Sequence, residues 1–586
     1  MLQLIFLMAL LFINKDAFGD SSENKSLDKC QYPSSVYIPR QATFDPVYQY
    51  ALNYEKKNIT NKDWKYFFSA SLFGTKSTGK NLDNYFNIDK KNELQVREDG
   101  TGDIDSLWFK VISSIVPFTF YSSKLNMHPQ RSTFGALLGF DVNLSDYCNN
   151  TRLEFFTSII NARHKINLCE SFVPGSNGAR DYSGTGILSK YKDMKESFND
   201  DERIYGKISS RTLKKTGLDD IQIKLMKLFE HQENQHSVYL LFGIPTGSGT
   251  RSQYLFEPLV GSKHFNLGIG GTFNKNITNV FSKRKKPATP LVESDVPSSD
   301  ALSAEPVEQT SEAAEKIEHL KQLSQEELSK EISGMDSKEL VETLAELKKR
   351  NAQSAPVKPI NTKISDTENE TYSLNLLGEF KLRYAFKGKE RRSFDLKENG
   401  QWSRYLLVVD QSDKNAPFFA TNALSLEANV TPKANIDAWL ALNYRKCDKF
   451  NLEAGYNFCF RQKEKVSLLN KSCPDFGNIG VADLIGIARE VNQQSASTAK
   501  LSQSVMPGNN QVKSDANFVS IDLTDLNLDS ASQPKIISHK FYISGGYNLC
   551  LGGYDAEITL NTSYEFSPSR RALNQVAFWA GINFLF

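Results

Sequence analysis

LNQVAFWAGINFLF, residues 573–586, ends the chain and decides the predicted fold. One set of alternate positions is almost wholly apolar and comprises Val576, Phe578, Ala580, Ile582, Phe584 and Phe586. The intervening positions mix polar and small residues with apolar ones. A period of two over about ten residues indicates a β-strand whose two faces meet different surroundings. Because a strand of a soluble β-sandwich alternates in the same way, this strand alone does not separate the two folds.

A terminal aromatic residue that closes such a strand resembles the C-terminal strand of Gram-negative outer-membrane β-barrel proteins. The resemblance implies that Phe584 and Phe586 form the assembly signal read by the barrel-assembly machinery. It also implies a location in the bacterial outer membrane, with the lipid of that membrane as a partner.

The N-terminal residues predict export. Residues 2–13 are an unbroken apolar run, too short to span a membrane as a helix, and the small residues Ala17 and Gly19 follow it. We therefore predict a cleaved signal peptide over residues 1–19. No Lys or Arg precedes Lys15, so an uncleaved anchor stays an alternative. No later apolar run reaches about 18 residues, so any further membrane span is predicted to be a strand.

The composition excludes some function classes. Hydrophobic residues make up 40% of the chain and the mean hydropathy is −0.43, values shared by soluble proteins and by barrels with a wet lumen. The formal net charge of +2 gives no reason to expect nucleic acid as a partner. The seven cysteines lie far apart without a C-x-x-C pair, which indicates neither a zinc site nor a dense disulfide framework. Their pairing stays open.

The alternation of the last strand recurs along the chain at similar length. Clear examples are residues 133–144, 372–386 and 450–461. Residues 421–430 are also predicted to be a strand, and weaker strand candidates are residues 106–118 and 402–409. The sequence therefore predicts an all-β fold, a transmembrane antiparallel up-and-down β-barrel of about 14 strands, with about 12 to 16 allowed.

The barrel is predicted in two parts, residues 64–280 and 371–586. Residues 20–63, which precede it, are predicted to be a periplasmic or plug segment. Residues 281–370 interrupt the alternation, because they are rich in Pro, Ser, Ala and Glu and then place Leu and Ile at helical spacing. They predict a helical and disordered insert. Residues 462–537 predict a long polar loop within the second part.

Residues 204–274 carry the most specific local motifs. They contain G-x-x-D-I from Gly217 to Ile221, a strand that ends in Pro245-Thr246-Gly247, and then a glycine-rich strand. This order resembles a group of porin-like outer-membrane barrels that includes fatty-acid-transporter-like and aromatic-channel families. The resemblance implies a barrel. Without it, residues 218–230 also fit an amphipathic helix.

The side of each connection follows from counting strands back from the end of the chain. With the C-terminus in the periplasm, as the resemblance implies, the turns at 447–449 and 551–553 are predicted to be periplasmic. The connections 431–434, 462–537 and 567–572 and the P-T-G loop are then predicted to be external, in keeping with short periplasmic turns and long outer loops. The same count places the 281–370 insert in the periplasm.

Ionisable residues of both signs collect at the predicted inward-facing positions. These lumen-lining candidates are Glu379, Lys381, Arg383, Glu427, Asp437, Arg445, Glu453, Arg461, Asp555, Glu557 and Glu565. They favour a wet, weakly selective lumen. The alternative is that they pair across neighbouring strands and line a plugged or narrow barrel. Neither H-E-x-x-H nor G-x-S-x-G occurs, so no catalytic site, metal site or cofactor is predicted.

The leading hypothesis is a porin-like outer-membrane channel for the passive passage of small solutes. One alternative is a fatty-acid-type transporter of hydrophobic substrates, with the N-terminal segment as a plug. Another is an outer-membrane anchor or adhesin that acts through the 281–370 insert or the 462–537 loop. The sequence leaves open a homo-oligomer and a periplasmic partner of the insert. An enzyme is not expected.

Overall fold

The computed structural model describes most of the chain after residue 64. The described residues are 65–78, 83–111, 121–174, 191–231, 234–246, 253–278, 372–446, 449–469, 479–482, 498–503, 518–551, 554–568 and 571–585. The predicted signal peptide, the 20–63 segment and the 281–370 insert therefore lie outside the described residues.

The described strands form one closed antiparallel barrel. Its sheet contains thirteen strand segments. One of them, Leu213–Leu218, continues into the next, so the barrel wall has twelve strands, which we also call staves. They are β1 Tyr66–Ser77, β2 Gln130–Asn143, β3 Thr151–Lys165, β4 Ile221–His231, β5 Asn234–Ile244, β6 Asn266–Asn276, β7 Tyr372–Ala385, β8 Lys433–Lys446, β9 Phe450–Arg461, β10 Ile536–Leu551, β11 Tyr554–Phe566 and β12 Gln575–Leu585.

The first and last strands close the barrel. β1 pairs with β12 from Phe67 opposite Leu585 to Ser77 opposite Gln575, and its other edge pairs with β2. Each further strand pairs with its neighbours in chain order. Closure removes every exposed sheet edge, since each strand finds partners on both sides.

The two faces of the wall differ in the way that the alternation predicts. In β2, Arg131, Thr133 and Leu137 are buried whereas Phe134 and Phe140 are exposed. Every strand contributes a large exposed apolar side chain to the outer face, for example Phe68, Phe134, Ile159, Leu225, Phe242, Ile269, Tyr384, Leu442, Leu452, Ile543, Leu560 and Phe578. These side chains form a continuous apolar belt around the barrel, far larger than the scattered apolar residues of a soluble surface.

The segment that also fitted a helix is a strand. Leu213–Leu218 and β4 both pair with β3, the first with Ile159 to His164 and the second with Thr151 to Phe156. Only Asp219 and Asp220 interrupt the ladder between them.

Short and long connections lie at opposite ends of the barrel. At the terminal end, where β1 begins and β12 ends, the connections β2–β3, β4–β5, β8–β9 and β10–β11 span only a few residues. The chain also leaves β6 and enters β7 at this end, on either side of residues 277–371. The opposite end carries all the other long connections.

Those long connections form a folded dome, which we define as the described residues of 78–129, 166–212, 245–265, 386–432, 462–535 and 567–574. Its small antiparallel sheets contain Glu93–Arg97, Ser122–Asn126 and Cys169–Phe172; Gly388–Ser393, Ser425–Thr431 and Lys465–Leu468; Leu407–Asp410, Asp413–Phe419, Ile479–Ala482 and Phe518–Ser520; and Asp395–Leu396 with Leu526–Asn527. Its short helices are Asp83–Phe86, Met194–Asn199 and Ala420–Ala423, with 3₁₀ turns at Ile88–Lys90, Ser106–Phe109, Ser403–Tyr405, Leu523–Asp525 and Leu528–Ala531.

One hydrophobic core holds the dome together. Each connection supplies buried side chains to it, among them Phe86, Phe198, Phe256, Trp402, Leu526 and Leu573. The Trp402 indole donates to the carbonyl of Phe86, 2.8 Å away and 316 residues earlier in the chain. The prediction of polar loops here was therefore wrong in part, because these connections pack against one another rather than against water.

The barrel has twelve staves, at the lower end of the predicted range. The described residues of the strand candidates 106–118, 402–409 and 421–430 are not part of its wall. Residues 106–109 form a 3₁₀ turn, and residues 402–409 and 421–430 combine a turn or short helix with a strand of the dome. Their apolar residues alternate because they cover the dome core, and short apolar runs do not distinguish that core from a barrel wall.

Among the described residues, no helix is long and apolar enough to cross a membrane.

Candidate functional site: the barrel lumen

The structure places ten of the eleven predicted lumen residues on the inner face of the wall. Glu379, Lys381, Arg383, Asp437, Arg445, Glu453, Glu557 and Glu565 are buried there, Arg461 is half-buried at the dome end, and Asp555 is exposed at the terminal end. Glu427 is a correction. It lies on the dome strand Ser425–Thr431 with an exposed side chain, 3.8 Å from Arg391, because the alternation of that strand belongs to the dome.

A lysine on β4 links carboxylates on two other strands of the inner wall. Lys224 Nζ lies 3.5 Å from a Glu154 oxygen on β3 and 3.3 Å from a Glu379 oxygen on β7. It also lies 4.0 Å from the ring centroid of Tyr239, whose hydroxyl donates to Glu379 at 2.5 Å. All four side chains are buried. One cation is thus shared by two carboxylates, and the aromatic face adds a cation–π contact.

The glycine-rich strand β6 makes this bridge feasible. A Cβ on Gly270 would lie 2.3 Å from the Tyr239 phenol, and a Cβ on Gly268 would lie 2.8 Å from Arg383 Cγ. Because both positions lack a side chain, Tyr239 and Lys224 reach across β6 to β7. Gly268 and Gly270 of the glycine-rich strand therefore leave the space that the Arg383 and Tyr239 side chains occupy.

A second network lies on β8, β9 and β10. Tyr542 lies over Gly455, where a Cβ would come within 2.4 Å of its ring. Its hydroxyl donates to Glu453 at 2.5 Å and accepts a hydrogen bond from the Trp439 indole at 2.6 Å. Asn443 donates to the other Glu453 oxygen at 3.2 Å. The Glu453 carboxylate is therefore held by partners on both neighbouring strands.

Several other charged groups are also paired across strands. Asn451 and Asn583 donate to the two oxygens of Glu557, at 2.8 and 3.0 Å. Other pairs are Arg383 with Asp437 at 3.1 Å and Lys540 with Glu565 at 3.5 Å. Buried charges are costly unless they are paired and hydrogen-bonded, and these contacts lower that cost for the groups they join.

The motifs at residues 217–247 meet at the dome end of the lumen. Asp220, the aspartate of G-x-x-D-I, accepts hydrogen bonds from the backbone N–H of Ser262, at 2.9 Å, and from its hydroxyl. Thr246 of P-T-G donates to the carbonyl of Leu218 at 2.6 Å. Between them, Val260 packs into the apolar part of the barrel interior. These residues thus fix the β5–β6 connection against the mouth of the barrel.

Several lumen residues were missed from the sequence. They are Glu154, Lys224 and Lys540, together with the aromatic residues Tyr239, Trp439 and Tyr542. Counting alternate positions along β3, β4 and β10 would have found the three charged residues. The aromatic residues carry no such signal, because an inward tyrosine or tryptophan looks like wall packing until its partner is known.

The described part of the lumen holds fixed charges of both signs. Among the side chains that the structure describes, no three His, Cys, Asp or Glu residues group as a metal site would require. The lumen offers fixed carboxylates, ammonium and guanidinium groups in alternation, which is the arrangement that sets ion preference in pores.

No protein-family model and no curated protein matches the chain. Among solved structures, the chain is similar to an outer membrane channel from Pseudomonas putida F1, with 6% identity, 90% of this chain and 100% of that chain covered and a TM-score of 0.33. It is also similar to the translocator domain of the autotransporter NalP from Neisseria meningitidis, with 7% identity, 93% and 97% covered and a TM-score of 0.26. A third similar structure is the toluene transporter TodX from Pseudomonas putida, with 7% identity, 94% of this chain and 95% of that chain covered and a TM-score of 0.21. Likeness this low decides neither fold nor function, and the barrel is established by its own strand register.

Proposed function

We propose that the protein is a channel for small solutes in the bacterial outer membrane. The observation that carries this proposal is the contrast between the two faces of one closed wall. The outer face is an apolar belt that twelve strands complete, and the inner face carries paired charges of both signs. A closed barrel satisfies every backbone group without water and therefore fits a bilayer, and a charged interior favours a path for solutes.

The inner network supports a channel that is narrow in the described state. Barrels of about eight strands are filled by side chains, whereas about sixteen leave an aqueous pore. Twelve strands lie between these cases, and the bridge from Glu154 through Lys224 to Glu379 runs along the inner wall from β3 to β7. An anchor would need no such bridge, because apolar residues of similar volume fill an interior at no greater cost. We assign the bridge as the constriction of the channel.

The test is single-channel recording of the detergent-extracted protein in a planar bilayer, beside a gel that detects the folded barrel by its heat-modifiable migration. We expect current steps of reproducible size. Glu379→Gln removes one carboxylate from the constriction but keeps an acceptor for Tyr239. An interaction between unit charges is worth about 1 kcal/mol at 4 Å in water, so we expect the preference for cations to fall by about fivefold at low salt.

The matched control is Glu427→Gln, because Glu427 lies on the dome and outside the lumen. We expect its selectivity to equal that of the unmodified protein. A folded, heat-modifiable barrel that passes no current at any voltage would refute the proposal. So would an equal change of selectivity in both variants.

A further inference from the structure

An open groove lies where the dome joins the barrel, beside the dome ends of β6 and β7. Its volume is about 370 Å³. Three cationic side chains line it, those of Lys263, Lys389 and Arg391, together with the carboxylates of Glu390 and Glu427. None of these residues belongs to the lumen network, so the channel proposal does not use them.

The Glu390 carboxylate is engaged from behind the groove. One oxygen lies 2.8 Å from His264 Nε2, and the other lies 2.9 Å from the buried Arg392 guanidinium. Burial alone would raise the pKa of the Glu390 carboxyl, but Arg392 and His264 outweigh it and hold that pKa well below its ordinary value. Because His264 and Arg392 balance the charge of Glu390, this carboxylate reduces the positive potential of the groove only slightly.

The Arg391 guanidinium is held at the wall of the groove. It donates to the Tyr205 hydroxyl at 2.9 Å and lies 5.1 Å from the centroid of that ring. Its pair with Glu427 is long, at 3.8 Å, and the Glu427 side chain is 58% exposed. Such exposed pairs contribute little, so an incoming anion competes readily with Glu427. The groove therefore presents a positioned guanidinium and two lysines to an anionic group.

The groove lies directly above the apolar belt. Phe265 and Phe386, both exposed, are paired through the Phe386 N–H and the Phe265 carbonyl at the rim of β6 and β7. Lys263 lies two residues before Phe265, and Lys389 lies three residues after Phe386. In an extended chain each lysine is therefore within about 10 Å of its phenylalanine. Ile204, which is 51% exposed, also lines the groove. An amphiphile with its head in the groove would lay its apolar part on the belt.

We propose that this groove binds the phosphate group of a membrane-lipid headgroup in the leaflet next to the dome. The inference rests on the membrane placement proposed above, but not on conduction. Cations at this depth meet the headgroup layer, and each contributes attraction to an anionic lipid. The Arg391 fork and the two lysines supply the donors that phosphate oxygens accept.

The test measures binding to the full-length protein in an uncharged maltoside detergent by titration calorimetry. The probes are dihexanoyl phosphatidic acid, a short-chain phospholipid, and inorganic phosphate. We expect saturable binding of one phosphatidic acid and binding of inorganic phosphate at least tenfold weaker. Each cation near a membrane surface is worth about a fivefold change in affinity. Lys389→Gln should therefore weaken lipid binding about fivefold, and Lys389→Gln with Arg391→Gln about 25-fold.

Two controls separate the site from charge in general and from misfolding. Lys463→Gln removes a dome lysine outside the groove, which is paired with Asp529, and should leave binding unchanged. Lys389→Arg keeps the cation and should retain affinity, and heat-modifiable migration checks that every variant is folded. If inorganic phosphate binds as tightly as phosphatidic acid, the groove is a site for the free ion, and the proposed lipid ligand is wrong. Absence of binding, or binding indifferent to Lys389 and Arg391, would overturn the site. If the protein and its variants bind lipid as expected but conduct no current, the channel proposal is wrong and the lipid site stands.

Discussion

The lumen and the dome both bury charged side chains, but they surround them differently. In the lumen, Lys224 lies between two carboxylates. In the dome, the equally buried Arg203 lies among aromatic rings, with its Cζ 3.8 Å from the centroid of Phe419. Burial lowers the pKa of the Arg203 guanidinium to about 10. In the lumen the buried charges are thus paired along regular strands, whereas the dome combines buried ion pairs, such as Arg392 with Glu390, with a large apolar core between distant loops.

This contrast separates two tasks within one compact unit. A charged interior that is paired strand by strand can pass or hold polar solutes, and it depends on the register of the wall. An apolar core made from six connections fixes the loops over one end of that wall, and it depends on a few large side chains. Each part should therefore fail in its own way when it is perturbed.

The largest effect is expected from Trp402→Ala in the dome. Trp402 is fully buried and its indole bridges two connections. Removing a buried tryptophan costs about 3–5 kcal/mol of unfolding free energy. We expect the dome to become sensitive to trypsin while the barrel keeps its heat-modifiable migration.

Leu560→Ala is the control for that experiment, because Leu560 lies on the outer belt, 68% exposed. It should leave the trypsin pattern of the dome unchanged. Loss of the heat-modifiable band in Trp402→Ala would mean that the barrel does not fold without the dome, and the division would be wrong.

An intermediate effect is expected from Glu390→Gln, which breaks a charged link within the dome, where Glu390 contacts His264 and Arg392. Of its two carboxylate partners, Arg392 would keep Glu464, 3.2 Å away. Breaking a buried ion pair costs about 3 kcal/mol of unfolding free energy. Because the folded pKa of Glu390 is depressed, its stabilisation is present above the ordinary value of 4.5 and is lost as the pH falls below it. Thermal unfolding of the dome, followed from pH 6 towards acid, should show a steeper loss in the unmodified protein than in the variant.

Glu427→Gln provides the matched carboxylate for the acid experiment, because Glu427 lies on the adjacent strand of the same small sheet but is exposed. Its acid profile should follow that of the unmodified protein. Identical acid profiles for Glu390→Gln and the unmodified protein would show that this carboxylate does not stabilise the dome.

The smallest of the three effects is expected in the lumen from Gly270→Ala. The new methyl group would lie 2.3 Å from the Tyr239 phenol and displace it from Glu379. Overpacking of this kind costs about 1–3 kcal/mol. The heat-modifiability midpoint should fall, whereas Gly545→Ala, whose nearest neighbour would be 4.0 Å away, should leave it in place. A shift of equal size in both variants would argue against a packed bridge.

The barrel was predictable because its signal is local. In β8 and β9, alternate residues along a single strand reveal the two faces, and the structure keeps both faces as predicted. The same rule misplaced Glu427, since a dome strand alternates for another reason. The dome core could not be predicted from periodicity, because Phe86 and Trp402 come from different connections and belong to no common repeat. The tyrosine bridges needed the register as well, since Tyr239 meets Glu379 only across the glycines of β6.

The most direct test of the central claim compares two neighbouring residues on β11 that face opposite sides of the wall. Thr559 is buried in the lumen and Leu560 is exposed on the belt. In a background with the seven native cysteines replaced by serine, Thr559→Cys and Leu560→Cys are recorded in a planar bilayer while a charged thiosulfonate is added. We predict a stepwise drop in conductance for Thr559→Cys and none for Leu560→Cys. A drop in both, in neither, or in Leu560→Cys alone would contradict a solute path through the lumen.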